Sequence, residues 1–236
     1  MHLSPDALIL WQWGPIRLSA TLLWTWFVMA LLVSIAWWVG RRLSSDVKIS
    51  RGQALLESLL VLILSQIRDV GQQPPRPFLP FIGTLFLFIA ASNLLSVIPG
   101  FIAPTASLST TTALALCAFV AVPLYGIAQQ GVLPYLRQYV QPSAFMLPFN
   151  ILGEISRTLA LAVRLFGNAM SGRLITGSLL IVVPFFFPIM MDLLGLLTGM
   201  IQAYIFSILA MVYIASAYQA HPSPTPAESS SPTPKE

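Results

Sequence analysis

The residues able to do chemistry in this sequence are few and widely spaced. From Phe145 onward the chain is apolar, yet Glu154, Arg157, Arg164, Arg173 and Asp192 interrupt it. An ionised side chain at membrane depth costs about 2.5–3.5 kcal/mol on insertion scales, so each of these is a candidate for work on ions. Arg157 and Arg164 are seven residues apart, two helical turns, and share a face. Glu154 stands three before Arg157, close enough to pair with it on a helix, and a structural ion pair near the membrane surface would account for both. Arg164 has no acidic residue within four positions on either side. A permanently charged guanidinium so placed takes its partner from elsewhere or snorkels to an interface; spacing leaves both open. In the last apolar stretch, Gly195, Gly199, Ala203 and Ser207 recur every four residues, a spacing that permits close helix approach. Either another helix of this chain or a moving partner could use that face. Gln202 lies beside it, one of the few strong polar groups there.

The elements that must hold these residues are membrane helices. Of 236 residues, 56% are hydrophobic and only 8% charged, against about a quarter charged in soluble domains. Residues 1–17 read as an external N-terminus with no cleavable signal, since a basic leader is lacking and Asp6 is present. The first span covers 18–39, without a charge and with tryptophans toward both ends. Arg41, Arg42, Lys48 and Arg51 follow and place that end in the cytoplasm by the positive-inside rule. Residues 51–70 hold only ten uncharged residues between Glu57 and Arg68, too few to span, and suit an interfacial amphipathic helix. From Pro77 to Leu136 no residue is charged; Pro99-Gly100 and Pro104 divide this stretch into spans at 78–98 and 111–130. A long helical hairpin then occupies 143–217. Its first part runs from Phe145 to Met170, with Arg173 near a turn. Its second, Leu174 to Ala217, exceeds one perpendicular span and must be tilted, bent or divided. The Pro- and Ser-rich tail, 218–236, reads as disordered and cytoplasmic. The fold class is therefore an all-α membrane protein: five membrane-crossing or membrane-embedded helices plus one interfacial helix.

Several classes of function find no support. The sequence has no GxxxxGK[ST] loop, no HExxH and no CxxC. Its histidines, His2 and His221, lie outside the spans, and Cys117 is the single cysteine. No cofactor, metal site or nucleic-acid partner is expected.

Around Arg164 the chain reads Arg157-Thr-Leu-Ala-Leu-Ala-Val-Arg164-Leu-Phe-Gly-Asn168. The RLFGN run resembles the signature of subunit a of F-type, rotary ATP synthases. Ser92-Asn-Leu-Leu-Ser-Val-Ile-Pro-Gly100 is similar to that family's SNLLGLIPG stretch and Gln202-Ala-Tyr-Ile-Phe206 to its terminal QAxIF motif; Gln53 and Glu57 sit as its surface-helix Gln and Glu do. The likeness covers about residues 50–218. It implies a stator subunit beside a ring of c subunits, each with one membrane-buried carboxylate. Two offset aqueous half-channels would carry protons or Na⁺ to and from the ring, and the last two helices would wrap it. The resemblance makes Arg164 the charge exchanged between ring carboxylates, with Gln202 its polar neighbour and Asn168 in the same translocating set. Other implied partners are the b subunits of the peripheral stalk, the soluble ATPase head through the complex, and membrane lipids. The subunit would be non-catalytic, in a bacterial inner membrane, with its N-terminus outside and C-terminus cytoplasmic.

The sequence also departs from the family pattern. Many members carry Asp and Asn where this chain has Ser107 and Ser109, Glu or His where it has Arg173, and His or Glu where it has Gly195. The departures point to a divergent, N-type branch in which Arg173 and Asp192 form a displaced polar pair. Candidate half-channel residues are then Asn93, Ser107, Glu154, Arg157, Arg173 and Asp192. The competing reading is a secondary transporter with a midplane site, which predicts an internal repeat that the sequence does not display.

Overall fold

The computed structural model describes residues 9–13, 16–41, 79–98, 100–134, 147–182 and 186–218, together with Ser58, Val61 and Ser65. The expected interfacial helix over 51–70, with Gln53 and Glu57, lies outside the described residues except for those three; so does the tail beyond Tyr218.

The chain is an all-α membrane protein with one small addition. Strands β1 (Ile9–Trp13) and β2 (Ile16–Ser19) form an antiparallel ribbon that leads directly into the first helix. The sequence reading expected no strand there. β1 is rich in β-branched and aromatic residues, which suit a pleated surface, and only Gly14 and Pro15 separate the two segments, the spacing of a tight hairpin.

Among the described residues five long helices follow: α1 (Ala20–Arg41), α2 (Leu79–Leu95), α3 (Leu108–Gln130), α4 (Leu147–Val182) and α5 (Phe186–Tyr218). Three contain stretches long and apolar enough to cross a membrane: Ala20–Trp38, Leu108–Ala128 and Pro188–Ser216. Helix α2 is as apolar but shorter, and α4 carries the charges. A positive φ at Gly100, 91°, turns the chain after α2, a conformation that side chains with a Cβ seldom adopt. A single 3₁₀ turn, Pro104–Ala106, then enters α3.

The expected turn near Arg173 is not there. Helix α4 continues for nine more residues, so Leu174–Val182 belongs to it and the division falls between Val182 and Phe186. Gly172 and Gly177 do not break it. In a bilayer a broken helix leaves backbone groups without water, which favours continuing through an isolated glycine.

Helix α5 is central, packed against α2, α3 and α4, while α1 lies at the edge against α2. Phe206, Ile89, Leu165 and Ile214 are among its fully buried contacts. Trp24 of α1 meets Phe101 edge-on at 4.7 Å and ties α1 to the segment after α2. The outer surface is apolar: Trp26, Val33, Leu159, Leu193, Leu197 and Ile201 are all exposed. Such an exterior suits lipid or partner helices rather than water.

Candidate functional site

Helix α4 buries a stripe that includes Leu161, Ala162 and Leu165. Arg164 lies off that stripe, exposed, on a flank whose neighbours Leu159 and Val163 are also exposed. Among the described residues no acidic side chain pairs with it. The arginine thus projects from the packed core toward whatever covers this face.

The level of each residue along the α4–α5 pair follows from two contacts. Arg157, early in α4, holds its guanidinium 5.5 Å from the ring centre of Tyr213, late in α5. Glu154 and Ser216 line the same recess as these two. The helices are therefore antiparallel. Seven residues on from Arg157 is Arg164, and seven back from Tyr213 is Phe206, so these are level. Gln202 is four residues further along α5, about 6 Å of rise from Arg164. Asn168, four after Arg164, is level with Gln202. Arg164, Asn168 and Gln202 thus fall within one turn of each other along the pair.

Gln202 is 6% exposed, and its Nε2 is buried without a hydrogen-bond partner. A buried, unsatisfied amide is costly, on the order of 1–3 kcal/mol, and native cores contain few of them. One turn before it, the Gly199 carbonyl accepts a 2.9 Å hydrogen bond from Asn93 Nδ2 at the end of α2. The Thr105 hydroxyl donates to Asn93 Oδ1 at 3.3 Å. Around them Ser92, Thr105, Ser107 and Thr111 are fully buried, and Ser107 and Ser109 share a 2.7 Å hydroxyl contact. Ser107 is buried in this contact, while Ser109 is exposed.

The charged candidates at the other end form a separate group. Glu154, Arg157, Thr158, Tyr213 and Ser216 line a recess between α3, α4 and α5. The structure therefore places Asn93, through Gly199, one turn from Gln202 and, through Thr105, two residues from Ser107 on one side of Arg164, and Glu154 with Arg157 on the other. Arg173 and Asp192 join neither group. Both are exposed, and among the described residues no ion pair links them. Arg173 is level with Leu197, five residues and about 7.5 Å of rise from Asp192. No group of three or more His, Cys, Asp or Glu side chains comes together among the described residues.

The small-residue face of α5 is turned inward. Gly199, Ala203 and Ser207 are buried within the chain, and Gly195 is half-buried. The exposed side of α5 carries Leu193, Leu197, Met200, Ile201 and Tyr204 instead. Sequence reasoning did not single out Tyr213, Thr105 or Ser216. Each is unremarkable among its sequence neighbours, and each acquires its role from a helix distant in the chain.

Comparison with known proteins shows the family. A family model described as ATP synthase A chain matches residues 22–215. ATP synthase subunit a 2 of Acaryochloris marina (strain MBIC 11017) is 63% identical, over 93% of this chain and 94% of its own length. ATP synthase subunit a of Albidiferax ferrireducens is 57% identical, over 97% of this chain and 99% of its own. ATP synthase subunit a 1 of Chlorobaculum parvum is 57% identical, over 92% and 96%. From the exposed arginine of α4 to the buried glutamine of α5, the helices described above are those of a chain that belongs to the ATP synthase subunit a family.

Proposed function

We propose that this subunit conducts ions between the two sides of the membrane by way of a rotating ring of c subunits, with Arg164 as the charge that each ring carboxylate meets in turn. The observation that carries this reading is Arg164 itself, exposed on α4 and without an acidic partner among the described residues. On this reading its counter-charge is a carboxylate of the ring. Two unit charges 4 Å apart attract by about 4 kcal/mol at an effective dielectric of 20. That favours a deprotonated carboxylate opposite Arg164, yet is weak enough for exchange with the next one as the ring turns. Arginine suits this task because its guanidinium does not give up its proton.

Two polar groups on opposite sides of Arg164 support a pair of offset half-channels. The outer one runs past Asn93, Ser107 and Gln202; the inner one starts near Glu154 and Arg157. A ring carboxylate passes Arg164 only in its ionised form, so a carboxylate that still holds its ion cannot slip past, and ions cannot go directly from one group to the other. They travel with the ring, and their flow turns it. Asn168, level with Gln202, shares the polar zone at the crossing point. The b subunits of the peripheral stalk hold the chain still against the ring, and rotation couples to the soluble ATPase head. The subunit itself carries no step of ATP chemistry. The N-terminus is outside and the C-terminus cytoplasmic, in a bacterial inner membrane.

Purification from membranes in mild detergent tests this assignment. The chain should co-purify with a c ring and with an ATPase head; isolation of an active transporter without either would refute it.

A further inference from the structure

Asn93 joins parts of the fold that are far apart in sequence. It is 8% exposed in the last turn of α2. Its Nδ2 donates to the carbonyl of Gly199, in the middle of α5, at 2.9 Å. Its Oδ1 accepts from Thr105, on the 3₁₀ turn, at 3.3 Å. Gly199 is the matching half of this contact. A Cβ placed on it would fall 2.8 Å from Asn93 Cγ and 3.0 Å from Asn93 Cβ and Nδ2. Held by two hydrogen bonds, the Asn93 side chain cannot move aside freely. The α2–α5 separation here is thus one that only glycine permits.

Gln202 lies three residues beyond Gly199 on α5. Its Nε2 is buried and has no hydrogen bond to fix it. The amide therefore takes its position from the helix that carries it, and that helix is clamped one turn away.

We propose that Asn93, backed by Thr105 and seated on Gly199, is a positioning residue for Gln202: it sets the depth and rotation of α5 instead of handling the ion. Both polar atoms of its carboxamide are already engaged within the protein, which leaves it poorly placed to exchange partners with a passing ion. This inference rests on the reading of Gln202 as part of the ion path.

The test uses the assembled complex in native membranes. Gly199→Ala should lower ATP-driven ion pumping about tenfold, because its methyl group collides with a side chain that is held in place. Asn93→Ala should lower it only about two- to threefold, through the lost hydrogen bond. The double variant Asn93→Ala/Gly199→Ala should recover to the level of Asn93→Ala or better, since the new methyl group enters the space the carboxamide has left. If Gly199→Ala alone fails to accumulate, recovery of assembled complex in the double variant is the equivalent result. Near-normal pumping by Gly199→Ala, or no recovery in the double variant, overturns the proposal.

A second measurement separates positioning from direct action on the ion. In a Cys117→Ser background, Gln202→Cys is labelled with a maleimide with and without Asn93→Ala. A positioning role predicts that the labelling rate changes by roughly threefold or more, as expected for loss of a buried hydrogen bond. An unchanged rate, with pumping lost in Asn93→Ala, would show that Asn93 acts on the ion itself and overturn the proposal. A changed rate with undiminished pumping would support the lock and count against the role proposed above for Gln202.

Discussion

Replacing Tyr213 tests whether the α4–α5 pair is set as described. The Arg157 guanidinium lies 5.5 Å from the Tyr213 ring centre, within the roughly 6 Å reach of a cation–π attraction. Arg157 is exposed and Tyr213 half-buried. The contact therefore falls between the exposed value of about 0.5–1 kcal/mol and the desolvated value of about 2. We take about 1 kcal/mol, roughly a fivefold change in an equilibrium constant. Tyr213→Leu should lose that amount, while Tyr213→Phe, which keeps a π face, should lose only part of it. Arg157→Gln should lose the same energy from the other side, so the two changes should not add. SDS-induced unfolding of the detergent-purified subunit, read for wild type, Tyr213→Leu, Arg157→Gln and the double variant of these two, gives the coupling energy directly. A coupling near 1 kcal/mol fits the structure. Additivity within about 0.3 kcal/mol would refute the contact, and with it the alignment that places Gln202 within one turn of Arg164.

Two further outcomes follow from particular side chains. Gln202→Leu removes an amide whose Nε2 is buried and unpartnered, so the subunit should unfold at higher SDS concentration, by about 1 kcal/mol, while ion pumping falls; a less stable variant would mean that the amide is satisfied. Cys117 is exposed and lines an apolar groove with Phe81, Val120, Leu124 and Tyr125; a membrane-permeant maleimide should label it at least about tenfold faster than a sulfonated one, and equal rates would place the groove in water.

The sequence makes the helices legible because charge-free runs and prolines mark spans without reference to any partner. The stretch from Leu18 to Val39 and the break at Pro99-Gly100 are of this kind. Arg164 was also legible, since a lone charge in an apolar helix stands out and RLFGN gives it a context. Long-range matches were not. Nothing near Asn93 in sequence indicates that it reaches Gly199, and nothing near Arg157 points to Tyr213, because spacing rules extend only three or four residues along a helix. The stripe from Gly195 to Ser207 allowed two readings, and packing decided for the interior: Gly199, Ala203 and Ser207 face the chain's own helices. The turn expected near Arg173 failed for a different reason. Glycine beside a charge reads as a break in water, whereas within a bilayer the helix continues to Val182. The pairing of Arg173 with Asp192 was inferred from what the family usually places nearby, and the two are separated along α4 and α5.

The central claim is that Arg164 meets the ring carboxylates and thereby couples ion flow to rotation. Its most direct test is ion-driven ATP synthesis in membrane vesicles carrying Arg164→Ala, with the amount of assembled subunit measured in the same vesicles. The account predicts that synthesis is abolished while membrane insertion and assembly remain normal. Synthesis at a rate close to that of the unaltered complex would contradict it.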